Sequence, residues 1–268
     1  MKETRVLFLG NSHTYFHDLP QVFKKLAKAG GERTEAEMIA YPGVTFGWHL
    51  KQEAQLRYTL LYGNWDYVIL QQAAHSPCPE PEETLCDGKK LIERVCSVSA
   101  VPLLCLPWAE RDHPEHQPLM YETYRKLAQE AGVMLTPEGY VFERVRQERP
   151  DIDLYHVDGE HCSPYGTYVR ALSAYTAIFR KDPRGLPALS LCTVRCTEEE
   201  AERFLKLRQR LRQGDPDPQL HEELKEAAAP VYRLCWEKEA LPVELDEEKV
   251  KTLQRYVYEA LRSNITKQ

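Results

Sequence analysis

The chain has no run of residues that could cross a membrane as a helix: nothing approaches the roughly 18 consecutive apolar residues that a span needs. No leader is visible either. Met1-Lys2-Glu3-Thr4-Arg5 leads straight into an apolar stretch of about five residues, shorter than the core of a signal peptide. There is no basic excess: 35 Lys and Arg against 41 Asp and Glu leave a formal charge of −6. That sign argues against a nucleic-acid partner but does not exclude a small anionic substrate. No Cys-x-x-Cys pair occurs among the eight cysteines (78, 86, 96, 105, 162, 192, 196 and 235); Cys192 and Cys196 are four apart. Scattered thiols in a chain of this size without a leader are expected to be free, in a reducing cytoplasm. No internal repeat and no long low-complexity run occurs.

What is present is enough apolar material for a full core. At 268 residues and 43% apolar, the chain can build one large α/β domain or two small ones. Strand-like and helix-like stretches alternate. Arg5–Leu9, Ala36–Tyr41, Asp66–Gln71, Val101–Pro107 and Val133–Leu135 read as strands. Leu19–Ala29, Phe46–Tyr62, Glu82–Val98, Pro118–Ala131, Glu138–Glu148 and Pro164–Arg180 read as helices, several stopped by Gly or Pro. Short apolar strands separated by helices predict a five-stranded parallel sheet covered on both faces. Chemistry is then expected just after the strands, beyond the carboxyl edge of the sheet. From Thr197 the chain becomes highly charged, with helices expected from Thr197 to Arg212 and over about 219–238 and 246–262. This predicts a main domain over 1–190 and a C-terminal helical extension over 191–268, packed on it as an appendage.

Four segments after strands carry reactive or polarising groups. Gly10-Asn11-Ser12-His13-Thr14 follows the first strand; Gly10 permits a sharp turn, Asn11 tolerates unusual dihedrals, and Ser12 would face the sheet edge. A serine needs a base to become a nucleophile. The candidate is in Val157-Asp158-Gly159-Glu160-His161, where Asp158 and His161 are three apart before a helix. Such spacing can set the carboxylate on one imidazole nitrogen and leave the other for Ser12. Pro42-Gly43-Val44-Thr45 offers the Gly43 backbone N–H, and Gln71-Gln72 offers side-chain amides, for a developing oxyanion.

Gly10-Asn11-Ser12, a glycine after strand two, a polar amide after strand three and a late Asp-x-x-His resemble, in that order, the blocks of the SGNH (GDSL-like) hydrolases over about residues 5–180. The resemblance is nearest to a bacterial branch with Gly-Asn-Ser in the first block. It implies a flavodoxin-like three-layer α/β/α sandwich and an esterase, lipase or carbohydrate deacetylase. It implies Ser12 as nucleophile, His161 as base, Asp158 as its orienter, and the N–H groups of Ser12 and Gly43 in the oxyanion hole. The third block departs from the family's Gly-x-Asn-Asp: the chain reads Leu70-Gln71-Gln72-Ala73-Ala74-His75-Ser76, so Gln71 has to replace the absent Asn.

Other polar and aromatic residues are candidates for the pocket. His13 flanks the nucleophile and His49 lies on the Phe46–Tyr62 helix, where it either lines the pocket or lies on a polar face. Trp108 is either a sugar platform or a core aromatic; Asn11 and Gln72 complete the group. Asp112-His113-Pro114-Glu115-His116 has metal-like composition but no third ligand at a defined spacing, and reads as an exposed loop with no metal. A phosphate binder using Gly10-Asn11-Ser12 is disfavoured, because the Gly-Lys-Ser/Thr ending of a P-loop is missing. The expectation is a hydrolase without cofactor acting on a small-molecule ester, with no membrane partner and with self-association into a homo-oligomer left open. The alternative is a carbohydrate-binding protein on the same fold, with catalysis weakened by the missing Asn.

Overall fold

Strand β1 (Thr4–Gly10) lies inside the sheet because both of its faces are apolar. Val6 and Phe8 enter one core cluster, Leu7 and Leu9 the other, as the two-residue period of a strand requires. The computed structural model describes residues 2–73, 81–191, 196–234 and 242–265. Strands β2 (Thr34–Ala40), β3 (Tyr67–Leu70), β4 (Val101–Cys105) and β5 (Met134–Thr136) join β1 in the order β2-β1-β3-β4-β5, all parallel. That is the flavodoxin-like order, and its switch point lies between β1 and β3, where the chain reverses its direction of travel across the sheet.

Helices cover both faces. Helices α2 (Leu19–Ala29), α7 (Glu138–Glu148) and α8 (Pro164–Phe179) pack on the Val6 and Phe8 face. Helices α3 (Phe46–Lys51), α4 (Glu53–Tyr62), α5 (Pro81–Cys96) and α6 (Gln117–Ala131) pack on the Leu7 and Leu9 face. The single helix expected over Phe46–Tyr62 is two helices, since Gln52 leaves the helical region with ψ 55°. The pieces serve different neighbours. Helix α3 turns His49 toward the end of β1 and Gly47 against Asp87 of α5, while α4 buries Leu56 and Leu60 in the core.

The tail divides in the same way. Helix α9 (Glu198–Arg212), started by a Thr197–Glu200 capping box, pairs with α10 (Leu220–Val231) around Phe204, Leu207, Leu220, Ala227 and Val231. Helix α11 (Glu247–Ile265) instead puts Val250, Leu253, Val257 and Leu261 into the same cluster as α2 and α8. Each such side chain is worth about 1.5–3 kcal/mol when fully buried, so α11 belongs energetically to the main core. A two-stranded antiparallel ladder, Ser190–Leu191 against Val243–Glu244, leads into it.

Among the described residues no helix is long and apolar enough to cross a membrane. Cys86, Cys96, Cys105, Cys162 and Cys196 are free thiols. Cys78, Cys192 and Cys235, and residues 74–76 of the third block, lie outside the described residues.

Candidate active site

The first block forms a tight turn at the switch point. Gly10 is required there by close approach: a Cβ would run into the Thr14 hydroxyl and lie 2.6 Å from Gln71 Oε1. Asn11 then caps the short helix α1 (Ser12–Tyr15) by accepting from His13 N–H at 3.1 Å. Its other end donates from Nδ2 to Val44 O at 3.1 Å. Asn11 therefore ties the Ser12 turn to the Gly43 loop. Ser12 occupies the first position of α1, where the backbone N–H has no intrahelical acceptor.

Ser12 Oγ lies 2.7 Å from His161 Nε2, and His161 Nδ1 lies 2.6 Å from Asp158 Oδ2. A carboxylate at Nδ1 holds the proton there, so Nε2 accepts from the Ser12 hydroxyl. Burial pushes the Asp158 carboxyl up, but the bond and charge of His161 and the Glu160 N–H outweigh it and hold the group well below the usual carboxylate range. Asp158 Oδ1 accepts from the N–H groups of Glu160 and His161 at 2.9 and 3.0 Å.

Asp158 and His161 sit on a small hairpin closed by a Tyr155–Cys162 bridge and by His156 N–H to His161 O at 2.8 Å. Gly159, at φ +73°, makes its turn. Five consecutive carbonyls of this hairpin are each claimed by a different donor. Asp158 O accepts from Arg208, Gly159 O from Arg111 N–H, and Glu160 O from the Trp108 indole. His161 O accepts from His156 N–H, and Cys162 O from the His17 ring at 2.9 Å.

The His161 imidazole lies between two rings. His13 stacks on one side at 4.3 Å and 13°, Phe16 on the other at 4.2 Å and 22°. His13 is thus brought to the site, but as a plate against the base.

Several other candidates serve the framework. Gln71 is bonded at both ends: its Oε1 accepts from Asn11 N–H at 3.2 Å and Thr14 Oγ1 at 3.0 Å, and its Nε2 donates to Gln72 O. The Gln71 side chain is thus held in the framework by Asn11, Thr14 and Gln72 O, with one amide N–H left over. Gln72 accepts from Phe46 N–H at 2.7 Å and donates to Thr84, joining the end of β3 to α3 and α5. His49 is only 2% exposed and donates from Nε2 to Gly10 O at 2.9 Å. Burial pushes its pKa down, which suits a neutral donor. Trp108 is 5% exposed and stacked on Phe142 at 4.3 Å, so it has no free face for a sugar. Gly43 is exposed at φ +65°, with open space where a side chain would start.

Apart from His17, which with His13 flanks Ser12 in the sequence, the sequence reading missed the supports. His17, at φ 53°, sits in the turn after α1. Arg170 is buried in α8, donates to His13 O and lies over Trp108 at 5.5 Å. One signal was available: Arg170 is the lone charge in the apolar run Tyr168-Val169-Arg170-Ala171-Leu172. Phe16, Tyr232 and Arg208, which surround the hairpin, carry no local signature. As for metal, His113, Glu115 and His116 place one donor atom each within 4.8 Å of one another. Carboxylates hold both imidazoles there: Glu115 on His113 and Glu110 on His116, each at 3.0 Å.

By sequence, no family model and no curated protein matches the chain. By structure it is similar to a Slackia heliotrinireducens protein assigned to the SGNH hydrolases (TM-score 0.56, 25% identity, covering 66% of this chain and 100% of that one). It is similar to a DUF4886 family protein from Bacteroides uniformis (TM-score 0.58, 16% identity), whose match covers 90% of this chain and 100% of that one. A third neighbour is the acetyl xylan esterase AlAXEase (TM-score 0.53, 18% identity, 65% of this chain and 99% of that one). The sheet order, the helices on its two faces and these neighbours together give the chain the fold of the SGNH hydrolase family.

Proposed function

We propose that the protein is a serine ester hydrolase that works through an acyl-enzyme, without a cofactor. The observation that carries this reading is the continuous hydrogen-bonded series Ser12 Oγ, His161 Nε2, His161 Nδ1, Asp158 Oδ2, with both links at 2.7 Å or less. In this reading His161 takes the Ser12 proton as Oγ attacks the acyl carbon, and the backbone N–H groups of Ser12 and Gly43 receive the oxyanion. His161 then returns the proton to the leaving alcohol, and a second cycle with water frees the acid. A short acyl group, acetyl foremost, on a carbohydrate or other small molecule is the proposed substrate. The support is fold-level analogy with neighbours that include an acetyl xylan esterase.

Ser12→Ala tests the reading against p-nitrophenyl acetate. Loss of turnover by a factor on the order of 10⁴ or more is expected; hydrolysis that survives the change removes Ser12 from the mechanism.

The engaged Gln71 amide favours one second reading. With a donor missing, the protein would bind an acylated carbohydrate and turn it over feebly. Intact protein that fails to react with a fluorophosphonate, yet binds the sugar, would establish that reading instead.

A further inference from the structure

We propose that the α9–α10 pair is a working part of this site, with Arg208 and Tyr232 as positioning residues for the Asp158–His161 hairpin. The proposal rests on the Ser12–His161–Asp158 reading above.

Contacts from both helices bind the pair to the hairpin. Arg208 of α9 reaches back to donate to the Asp158 carbonyl and the Glu160 carboxylate at once. Its side chain is only 16% exposed. At the far end of α10, Val231 O lies 3.1 Å from the His156 ring nitrogen Nε2. The next residue, Tyr232, sets its ring 5.6 Å from that of His161 and 6.3 Å from that of Phe16, and is itself backed by Phe204 at 5.8 Å.

A cavity of about 280 Å³ lies between the hairpin and α9, lined by Asp158, Gly159, Leu205 and Arg208. Val157 packs against the α9–α10 cluster and Arg212 pairs with Asp112 at 2.8 Å beside it, but of these ties Arg208 is the one that reaches Asp158 itself. A planar guanidinium can hold two acceptors in fixed relation, which an ammonium cannot. The orientation of Asp158 sets the position of the imidazole, and a misplaced base is costly even when every reacting group is present.

Tyr232 acts at the Asp158 end of the imidazole: its side chain hydrogen-bonds Asp158, and its ring lies 5.6 Å from that of His161, whose two faces are taken by His13 and Phe16.

The test uses the full-length protein and three variants, Arg208→Ala, Arg208→Lys and Tyr232→Ala, with thermal melts alongside. One readout is the rate of fluorophosphonate labelling of Ser12, which needs an aligned base but no known substrate. The other is kcat and KM across two ester series, one varying the alcohol of an acetate and one varying the acyl chain of a p-nitrophenyl ester. Arg208→Ala should slow labelling and lower kcat by about 10–100-fold with KM little changed. Added guanidinium should recover part of the rate, and Arg208→Lys should fall between. Tyr232→Ala should slow labelling and lower kcat several-fold, by the same factor along both ester series.

Arg208 variants that label and turn over like the wild type would overturn the first half. Tyr232→Ala that labels and turns over like the wild type, or that shifts the alcohol series alone, would overturn the second. Should Arg208→Ala not fold, Arg208→Lys decides by the same labelling rate. Wild-type protein that shows no Ser12-dependent labelling would instead sink the hydrolase reading itself, a result distinct from active wild type with unaffected variants.

Discussion

His13 lies face to face on His161, 4.3 Å away and 13° from parallel. With Phe16 on the opposite face at 4.2 Å, the imidazole can move within its own plane but not tilt out of it. Removing one plate should therefore loosen the base without removing a reacting group. His13→Ala is expected to lower kcat by about 10-fold while the protein stays folded. Steady-state kinetics with a parallel melt would check it, and an unchanged kcat would leave the stack without a role.

Asp158, only 2% exposed, should be replaceable for the fold but not for the reaction. Asp158→Asn keeps an oxygen for the Glu160 and His161 N–H groups but sets an amide where Oδ2 now meets Nδ1. The amide N–H would favour the wrong imidazole tautomer. The expected result is a fold that melts near the wild-type temperature with kcat down by about 10³–10⁴-fold. A loss of only a few-fold would mean that Asp158 orients nothing.

Gln71 offers the opposite contrast, a stability effect without a rate effect. Gln71→Leu strips the acceptor from Asn11 N–H and Thr14 Oγ1, and a buried donor left unpaired costs about 1–3 kcal/mol. Urea unfolding should show that loss. An oxyanion donor would behave otherwise, costing about 10²–10³ in kcat with stability intact, and such a result would return Gln71 to the oxyanion hole.

Stability should also depend on pH through two buried histidines. Burial lowers the pKa of His49 and of His156 below the ordinary value. In the window from those lowered values up to about 6.5, the unfolded chain binds the extra protons. Stability is then full above about pH 6.5 and falls as the pH drops below it. Asp158, whose folded pKa is depressed, adds nothing to this slope, because its contribution is lost only in stronger acid. Urea midpoints between about pH 7.5 and pH 5.5 should fall, and His49→Gln, which keeps a donor for Gly10 O, should flatten the fall. Midpoints that hold steady would count against neutral buried histidines.

The sheet was legible from the sequence because its strands are short apolar runs with helices between them. Glu138–Glu148 and Leu19–Ala29 match helices α7 and α2 residue for residue. The break at Gln52 was hidden, since the residue is neither Gly nor Pro. Helix α11 looked too charged for a core, yet one apolar stripe at 250, 253, 257 and 261 is enough when the other face meets water. At the site, Ser12, Asp158 and His161 could be named because they lie in compact motifs after strands. Gln71 could not be judged, because a side-chain amide reads alike whether it faces a substrate or the neighbouring backbone. Arg170 and Arg208 act through long-range bonds, to His13 and to Asp158 and Glu160, and nothing near them in sequence names the partner.

The saturated hairpin has a consequence for how the molecule moves. Five consecutive carbonyls from Asp158 to Cys162 are held by donors from five places, so the base is assembled before anything arrives and little reorganisation is left for the moment of reaction. Compliance has to reside elsewhere. Asn11 joins the Ser12 turn to the loop at Gly43, which is exposed, left-handed and has open space where a Cβ would lie, so what freedom the surroundings of Ser12 keep is to be sought on that loop rather than on the hairpin.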